Sequence, residues 1–562
     1  MRSLWMLCSL ALAANAQKTT PCPILGSAYP APKGLSKDPV FLRASEKLTS
    51  QLNEAIENGT LPSVSIAVQI FSEDENTAFE FYHTDHVSVN GSPGVQEVDE
   101  NTMFRIGSIS KLWTMFLYMT LEGTRYFHEP VAKYVPELRV RNDKTQTANV
   151  IDAVRWTDVT IGELASHQAG IARDYAFGDL GFQSSDVLHS MGFPALPESE
   201  ALTCGNTAQC NRTDFFTGLL NMHPLTPTSY TPLYSNAGFQ ILGYALESIA
   251  NAEYEDILFE QLINPLNLTR SCLKAPDAEL AVIPYNKTYS MFDFKIGDAA
   301  PAGGMFSSAK DMSTFGRAIF SNALIDPAIT RRWLRPMAHT SSLQHSVGAP
   351  WEIYSYLTPR RTDLYTKSGD LGLYSSSFGI SPDHKIGYTV LVAGVNSHQM
   401  TSTISDMVTD TMVPILDEVA RNQALKRFGG TYELTGGASN ASITITADDG
   451  PGLILSSWIN NSVDMIESLM ALQGVTDRSA LTIRLQPSGL EASGRISFLA
   501  VIYALPVLTD AGPMLSSCLS WILLESLVYG GVGLPEFEFE VNDNGDATSL
   551  SPRALRVNLP RV

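Results

Sequence analysis

The order of helical and alternating segments most constrains what this chain can fold into. In chain order, the periodicities indicate a helix over 38–58, strands over 61–71 and 79–83, a mainly helical stretch over 115–285, strands over 363–380 and 386–396, and a helix over 400–425. Amphipathic helices repeat apolar residues every three to four positions, whereas half-buried strands alternate them. Strands on both sides of a helical insertion predict an α+β sheet domain with a helical domain inserted into it.

The character of the sequence changes near residue 426. The segments that follow are short and alternating, and Gly, Asn and Asp turns separate them, as in EFEFEVNDNG at 536–545. This pattern predicts a second domain over 426–562 that is mostly antiparallel β and barrel-like. Because 562 residues are too many for one ordinary core, we expect residues 17–425 to form a domain of their own.

The N-terminus, MRSLWMLCSLALAANAQ, has the three parts of a secretory signal. Arg2 supplies a positive charge, residues 4–14 are apolar, and Ala14-Asn15-Ala16 offers a small-residue cleavage site. The apolar run is too short to span a bilayer. We therefore predict a signal peptide over 1–16 and a secreted, extracellular protein.

Later apolar runs and the net charge exclude two classes of partner. The runs at 496–508 and 514–529 are interrupted by Pro506 and Glu525, so both favour buried strands and we expect no membrane span. The formal net charge is −20, from 38 basic and 58 acidic residues. An acidic surface repels phosphate backbones, so we expect no nucleic-acid partner.

Cysteine spacing becomes informative in a secreted protein. Cys204 and Cys210 lie six residues apart in a polar stretch, which predicts a local disulfide. The pairing of Cys22, Cys272 and Cys518 cannot be read, and the odd count leaves at least one thiol free. Neither the cysteines nor the ten histidines form a metal-ligand pattern, so we expect no metal and no cofactor.

Sequons of the form N-x-[ST] predict glycosylation in a secretory pathway. Asn90 is a poor candidate because Pro93 follows its sequon. The remaining candidates are Asn58, Asn211, Asn267, Asn286, Asn440 and Asn460.

Candidate chemistry begins at FRIGSISKLWT, residues 104–114. Ser108 and Lys111 are three residues apart, so a helix would place both side chains on one face. A serine needs a nearby base to act as a nucleophile, and a desolvated lysine can serve. Gly107 permits a tight entry into the helix, whose free N–H groups would favour developing negative charge at Ser108.

The S-x-x-K spacing alone is not specific. It recurs at Ser271/Lys274 and at Ser307/Lys310, and composition predicts about two occurrences by chance. Ser271 lies in a polar stretch beside a sequon. Ser307 follows a turn, so we expect it to be a helix N-cap with Lys310 exposed.

Two further motifs follow in a specific order. Tyr234-Ser235-Asn236 is the only Tyr-x-Asn in the chain, and Lys367-Ser368-Gly369 is the only Lys-[Ser/Thr]-Gly. Each alone suits a helix cap or a strand edge. The sequence S-x-x-K, Y-x-N, K-[ST]-G, with more than a hundred residues between motifs, is far more specific than any one of them.

These motifs resemble the serine β-lactamases and penicillin-binding proteins, especially class C enzymes and the related esterases and transesterases. The similarity also includes ELASHQAGI, residues 163–171, and PAGGMFSSAKDM, residues 301–312, and it covers roughly 38–425. It implies the β-lactamase/transpeptidase-like fold, an antiparallel sheet flanked by helices plus a helical domain. The trailing β domain is similar to the C-terminal domain of fungal secreted β-lactamase-like proteins.

The resemblance implies a role for each motif. Ser108 would be the acylated nucleophile, Lys111 would help to deprotonate it, and Tyr234 would move protons to the leaving group and activate the deacylating water. Two lysines nearby would lower the pKa of Tyr234. The implied substrate-binding residues are Asn236, Lys367, Ser368, Gly369 and Asp370.

Finer roles follow for some of these residues. Asn236 would orient the substrate or Lys111, and Lys367 would supply positive charge for a substrate carboxylate or for Tyr234. Backbone N–H groups of Ser108 and Asp370 would form the oxyanion hole. The Asp370 carboxylate departs from an ideal oxyanion site and weakens the expectation of anionic acyl groups. His167 is expected to be a structural loop residue.

The sequence therefore predicts a secreted serine hydrolase that acts on small-molecule esters or amides, lactams included. An acyltransferase or transesterase of small-molecule biosynthesis would use the same residues with a different acceptor. A non-catalytic binding protein on the same scaffold is the alternative from another class. No G-x-S-x-G elbow occurs, which argues against an α/β-hydrolase.

Overall fold

The computed structural model describes residues 22–139, 150–205, 209–357, 360–434, 440–503 and 518–562. The predicted signal peptide lies outside the described residues. The described chain forms two compact units. The larger comprises Pro32–Tyr356 and Thr362–Leu416, and the smaller comprises the residues up to Ala31, Leu357–Arg361 and Asp417–Val562.

Helix α1, Pro39–Glu57, opens the larger unit as its periodicity predicted. The Asp38 carboxylate caps it by accepting two backbone N–H groups of the first turn, at 2.9 and 3.4 Å. Pro39 occupies the first helical position, where an N–H has no partner within the helix. Leu48 and Leu52 of its apolar stripe are fully buried, whereas Leu42 is 44% exposed.

An eight-stranded sheet forms the centre of the larger unit, and its strand order is β2-β1-β10-β9-β8-β7-β6-β5. The strands up to β10 are β1 (Val64–Ser72), β2 (Phe79–His83), β3 (Phe104–Arg105), β4 (Phe306–Ser307), β5 (Ala338–His339), β6 (His345–Val347), β7 (Glu352–Leu357), β8 (Arg361–Leu371), β9 (Tyr374–Ser381) and β10 (Ile386–Gly394). Strands β3 and β4 pair separately. Strand β1 runs antiparallel to β10, from Val64 opposite Gly394 to Ser72 opposite Ile386. The early and late strands therefore share one sheet, with the inserted stretch between them as predicted. That stretch is less helical than expected, because the described residues between 123 and 235 form three short α-helices besides 3-10 turns.

The prediction of one strand over 363–380 is wrong. The structure has two antiparallel strands, β8 and β9, and a tight turn at Gly372 and Leu373. Gly372 has a φ of 60°, which a glycine adopts without strain. The turn lies in the apolar run LGLY, where no Asn, Asp or Pro marks it.

The remaining helices of eight or more residues are α2 (Ser110–Glu122), α3 (Arg212–Leu219), α4 (Asn236–Ala250), α5 (Ala309–Ser321), α6 (Ser397–Phe428) and α7 (Met465–Gln473). Shorter helices are His86–Val89, Ile161–Ala165, Ser185–Ser190, Tyr254–Leu258, Asn264–Leu266, Ala300–Gly303, Pro327–Trp333 and Ser520–Leu523.

Helix α2 passes through the core of the larger unit. Its residues from Ser110 to Met119 are all buried, as expected for a helix that is apolar on most of its surface. Trp113 stacks on Phe315 of α5, with ring centroids 5.0 Å apart. Because close packing surrounds the helix, the residues at its N-terminus have well-defined positions.

The smaller unit is mostly antiparallel β, as predicted for residues after 426. Its strands are β11 (Gly430–Leu434), β12 (Ala441–Thr446), β13 (Leu453–Asn460), β14 (Val463–Asp464), β15 (Thr482–Ala492), β16 (Arg495–Tyr503), β17 (Val528–Tyr529), β18 (Val532–Gly533), β19 (Glu536–Val541), β20 (Ala547–Pro552) and β21 (Leu559–Pro560). The main sheet has the order β11-β12-β13-β15-β16-β19-β20-β21, with β14 beside β13. Val562 N donates to Thr431 O at 3.0 Å, so the last strand returns to the first and the sheet closes on itself.

Two features of the smaller unit differ from the sequence expectations. Helix α7 interrupts the strands, and its N-cap Asp464 and C-terminal Gly474 are recognisable signals in the sequence. The run at 514–529 is not a buried strand over its described part. There the helix Ser520–Leu523 exposes its apolar side chains, and Trp521 is 73% exposed.

The predicted disulfide between Cys204 and Cys210 is confirmed. A second disulfide joins Cys22 to Cys518, a pairing that the sequence left open. Cys272 is the free cysteine among the described residues. Burial raises the pKa of its thiol to about 11, which makes it a weak nucleophile at neutral pH.

Sequon asparagines lie mainly at the surface. Exposed members are Asn58, Asn211, Asn267, Asn286 and Asn440, and Asn460 is half-buried. Their glycosylation stays a prediction. In the described part of the chain, no helix combines the length and the apolar character needed to cross a membrane.

We expect Phe71→Ala to lower the free energy of unfolding of the larger unit by about 3–5 kcal/mol. Phe71 is fully buried and its ring lies 6.0 Å from that of Phe378. Gly316 and Gly387 leave room for the ring, since a Cβ on either would lie 2.2 or 2.3 Å from it. Denaturant unfolding measures the loss. Phe193→Ala, at a 41% exposed phenylalanine, is the matched control and should change stability by less than about 1 kcal/mol.

Candidate active site

Ser108 lies on a 3-10 turn, Gly107–Ile109, that leads directly into α2. Gly107 has a φ of 48°, and a Cβ there would lie 2.5 Å from the backbone nitrogen of Asp370. A Cβ on Gly369 would lie 2.6 Å from the backbone nitrogen of Ser108. The two glycines therefore allow the turn to touch strand β8, which brings the first and third motifs together.

Lys111 has no solvent exposure, and its ammonium group has three partners. The distances from Nζ are 3.0 Å to Ser108 Oγ, 2.7 Å to Asn236 Oδ1 and 2.5 Å to the carbonyl oxygen of Ala302. Burial, and secondarily the charge of Lys367, lower the pKa of Lys111. Two of its partners are acceptors only, so the neutral amine would direct its lone pair at the Ser108 hydroxyl.

Tyr234 is surrounded by cations. Its phenol interacts with Ser108, Lys111 and Lys367. Both ammonium nitrogens lie close to its ring centroid, at 4.9 Å for Lys111 and 5.0 Å for Lys367. Burial raises the pKa of the phenol, but the two lysine charges and the hydrogen bonds outweigh burial, so the pKa is lowered as predicted.

The middle residue of the second motif has a structural role. Ser235 is the N-cap of α4, where its Oγ accepts the backbone N–H of Gly238 at 2.9 Å. Its flanking residues, Tyr234 and Asn236, both reach Lys111. The helix cap and the site are therefore built from the same three residues.

Asp174 orients Asn236, and no motif in the sequence indicated this contact. Asn236 Nδ2 donates to Asp174 Oδ1 and Oδ2 at 2.9 and 3.2 Å. Because the amide nitrogen faces this carboxylate, the amide oxygen faces Lys111. Burial raises the pKa of Asp174, while the hydrogen bond from Asn236 opposes that shift. Beside it, the Arg173 guanidinium lies 4.9 Å from the Tyr234 ring centroid.

Lys367 is 1% exposed and forms an ion pair with Glu352, the first residue of β7. Nζ lies 2.5 Å from Glu352 Oε1 and 2.8 Å from the carbonyl oxygen of Ser368. The other carboxylate oxygen of Glu352 accepts the backbone N–H and the hydroxyl of Ser368, both at 3.0 Å. Burial lowers the pKa of Lys367, but the Glu352 carboxylate and Tyr234 outweigh burial and raise it.

Asp370 is exposed at the far end of the third motif. Its carboxylate lies 3.0 Å from Nδ1 of His398, at the start of α6. Side chains and N–H groups alternate along a strand, so the Asp370 N–H points to the same side of β8 as that of Ser368. Strand β7 begins at Glu352, so the Asp370 N–H lies past the end of β7. It faces the Ser108 turn instead.

His167 is buried under Tyr234, with ring centroids 4.4 Å apart. Its Nδ1 accepts the backbone N–H of Ser235 at 3.1 Å, which assigns the proton to Nε2. Burial lowers the pKa of the imidazole well below its usual range, and the nearby lysines act in the same direction. His167 is therefore neutral, and it holds the second motif in place by packing against Tyr234 and accepting from Ser235.

The other two S-x-x-K pairs are structural. Ser307 is not an N-cap, because it lies in β4 and its Oγ is 2.9 Å from that of Ser271. The cap of α5 is Ser308, one residue later. Ser271 is buried rather than in an open loop, and it donates to Asp311 at 2.8 Å.

The lysines of those two pairs bind elsewhere. Lys274 pairs with Glu255 at 3.0 Å and Lys310 with Glu100 at 2.7 Å, so neither contacts its motif serine. Among the three pairs, the Ser108 pair has the fully buried lysine.

Comparison with known families agrees with this geometry. The model of the β-lactamase family matches residues 77–405, more than half of the chain. A model described as "Beta-lactamase-like-like, C-terminal domain" matches residues 420–562. The fold and the family match define a β-lactamase-like hydrolase of the β-lactamase/transpeptidase-like fold. The chain belongs to the β-lactamase family.

Relatives span most of the chain. A β-lactamase-like protein of Arthroderma benhamiae is 27% identical and covers 96% of this chain and 95% of its own length. A probable hydrolase M10 of a Phoma species is 24% identical over 81% of this chain and 75% of its own. A β-lactamase/D-alanine carboxypeptidase from Yersinia pestis, solved with citrate, has a TM-score of 0.48 at 17% identity, over 66% of this chain and 99% of that one.

We expect Lys367→Met to raise the pKa of the Tyr234 phenol. The substitution removes a positive charge that stabilises the phenolate, while burial, which favours the neutral phenol, remains. NMR titration of tyrosine labelled at Cζ measures the shift, and Tyr234→Phe assigns the signal. An unchanged titration in Lys367→Met would show that Lys367 does not control this phenol.

Proposed function

We propose that this chain is a secreted serine hydrolase that cleaves ester or amide bonds through an acyl-enzyme at Ser108. The observation that carries the proposal is the fully buried Lys111 amine, 3.0 Å from Ser108 Oγ. A buried lysine without a negatively charged partner in direct contact is costly to maintain for packing alone. A lowered lysine pKa beside a serine hydroxyl is the arrangement that nucleophilic catalysis needs.

Acylation would begin with attack of Ser108 Oγ on the substrate carbonyl carbon. The hydroxyl proton passes to Tyr234, directly or through Lys111, and both interact with Ser108. The backbone N–H groups of Ser108 and Asp370 stabilise the oxyanion. When the bond to the leaving group breaks, Tyr234 gives that proton to the departing oxygen or nitrogen.

Deacylation would use the same groups in reverse. The Tyr234 phenolate, favoured by two lysine charges, takes a proton from water as the water oxygen bonds to the acyl carbon. The bond between that carbon and Ser108 Oγ then breaks, and Tyr234 gives Oγ the proton that it took from water. Asn236 keeps Lys111 in place, and Asp174 keeps the Asn236 amide oriented.

The proposed location is extracellular. The two disulfides, Cys22–Cys518 and Cys204–Cys210, suit an oxidising compartment. We propose that the signal peptide over 1–16 directs export and that the exposed sequons are glycosylated. We also propose that residues 17–425 carry the catalytic residues and that 426–562 form the accompanying β domain.

Ser108→Ala should abolish acyl-enzyme formation and lower hydrolysis of an activated ester by more than about a thousandfold. Intact-protein mass spectrometry after exposure to p-nitrophenyl acetate measures the acetyl adduct. Ser271→Ala and Ser307→Ala are the matched controls, since both remove the serine of an S-x-x-K pair, and both should keep the adduct. Labelling that persists in Ser108→Ala would rule out this nucleophile, and no adduct in the folded native protein would favour a binding protein.

Product analysis separates hydrolysis from acyl transfer. We expect the free acid as the main product in water, because Tyr234 is placed to take a proton from any acceptor with an O–H or N–H group, and water is the most abundant acceptor. Chromatography with and without added alcohol or amine makes the comparison. An ester or amide product that outcompetes the acid at millimolar acceptor would identify a transferase instead.

A further inference from the structure

Glu352 occupies donors of two residues that the sequence assigned to substrate binding. Lys367 was expected to supply positive charge for a substrate carboxylate or for Tyr234, and Ser368 to bind substrate, yet both already donate to Glu352. One carboxylate oxygen is 2.5 Å from Lys367 Nζ, and the other accepts the N–H and the hydroxyl of Ser368 at 3.0 Å each. The Glu352 carboxylate thus accepts hydrogen bonds from three donors, as the carboxylate of a bound ligand would.

Most of the Lys367 ammonium group is already engaged, since an ammonium offers three N–H donors. Two of them donate to Glu352 Oε1 and the Ser368 carbonyl oxygen, and the Tyr234 ring centroid lies 5.0 Å from Nζ. Because Lys367 is 1% exposed, a substrate group would have to displace one of these partners to reach it.

A hydrogen bond from β8 holds the backbone of Glu352 in place. Thr366 Oγ1 donates to the carbonyl oxygen of Glu352 at 2.7 Å, next to the third motif. Glu352 is also 32% exposed in its side chain, so it faces the opening of the site as well as Lys367. A ligand beside Lys367 would therefore meet a fixed negative charge.

A second carboxylate, that of Asp370, also disfavours an anionic ligand. Asp370 is 47% exposed at the other end of the motif, and its partner His398 is itself 74% exposed. Glu352, which binds Lys367 and Ser368, and Asp370 therefore place an acidic side chain at each end of the third motif. Like charges at close range disfavour an anionic ligand, most strongly where solvent is excluded.

We propose that Glu352 is a specificity-determining residue that acts as a built-in carboxylate, so that the site accepts substrates with no carboxylate beside the scissile bond. Neutral esters, lactones and amides fit this requirement. Lactams and peptides that carry a carboxylate next to the cleaved bond do not. This inference rests on the proposed function at Ser108, and it names the substrate class of that site.

Two esters with the same scissile bond test the proposal. In 3-acetoxybenzamide the leaving phenol is neutral, and in 3-acetoxybenzoate it carries a carboxylate. The native protein should have a kcat/KM at least about tenfold higher for the neutral ester, and Glu352→Gln should reduce that ratio by about tenfold or more. Glutamine keeps the size and an acceptor for Lys367 but removes the charge.

Glu46→Gln is the matched control, since it removes one negative charge at an exposed position on α1. It should leave the ratio unchanged. Glu352→Ala, which frees all three donors, should shift the preference further toward the benzoate. Equal kcat/KM for the two esters in the native protein, or a ratio that Glu352→Gln and Glu46→Gln change equally, would overturn the proposal.

A binding series keeps the two proposals distinguishable. The non-hydrolysed ligands 3-acetamidobenzamide and 3-acetamidobenzoate are titrated by NMR into Ser108→Ala and into Ser108→Ala combined with Glu352→Gln. The benzoate should bind about tenfold more weakly than the benzamide only where Glu352 is present. Absence of turnover with both esters would count against the proposed function, whereas equal dissociation constants in both variants would overturn the role of Glu352.

Discussion

The buried amine of Lys111 is the constraint on which the rest of the larger unit depends. A side chain with no exposure cannot use water to satisfy its polar end, so the protein has to supply every partner. Those partners come from three separate stretches of the chain: the Ser108 turn, the start of α4 and the carbonyl of Ala302. Helix α2, packed on all sides, keeps the amine where these stretches meet.

Tyr234 lies beside this buried amine, and its pKa is lowered. A phenol in an apolar setting is normally held neutral, because burial penalises the phenolate. Here two lysine charges within about 5 Å of the ring reverse the direction of the shift. The neutral His167 beneath the ring adds packing without adding a further positive charge. In the proposed mechanism, proton transfer to and from Ser108 therefore depends on charges that the fold provides.

Two carboxylates, Asp174 and Glu352, interact with the two lysines in different ways. Asp174 acts on Lys111 through the Asn236 amide, so it orients the amine without pairing with it. Glu352 pairs directly with Lys367 and occupies both donors of Ser368. The pKa of Lys111 is lowered by burial, whereas the Glu352 carboxylate raises the pKa of Lys367. The two lysines therefore have opposite pKa shifts, because Glu352 contacts Lys367 directly and Asp174 reaches Lys111 only through Asn236.

The sequence by itself determined the elements and the order of the motifs. Helix α1 and strands β1, β2 and β10 follow from apolar periodicity, and the three motifs identified Ser108, Lys111, Tyr234, Asn236 and Lys367 because their residue types are rare in that order. The sequence predictions were wrong where the local residue pattern carried no turn signal or fitted two interpretations equally well. The turn at Gly372 lies in an apolar run, and Ser307 and Ser308 are equally good caps on paper. Only the tertiary structure decided which S-x-x-K pair is buried, which acids face the site and how Cys22 pairs. Asp174 and Glu352 lie 62 and 15 residues from the residues they bind, and no local periodicity encodes a contact that packing and strand pairing create.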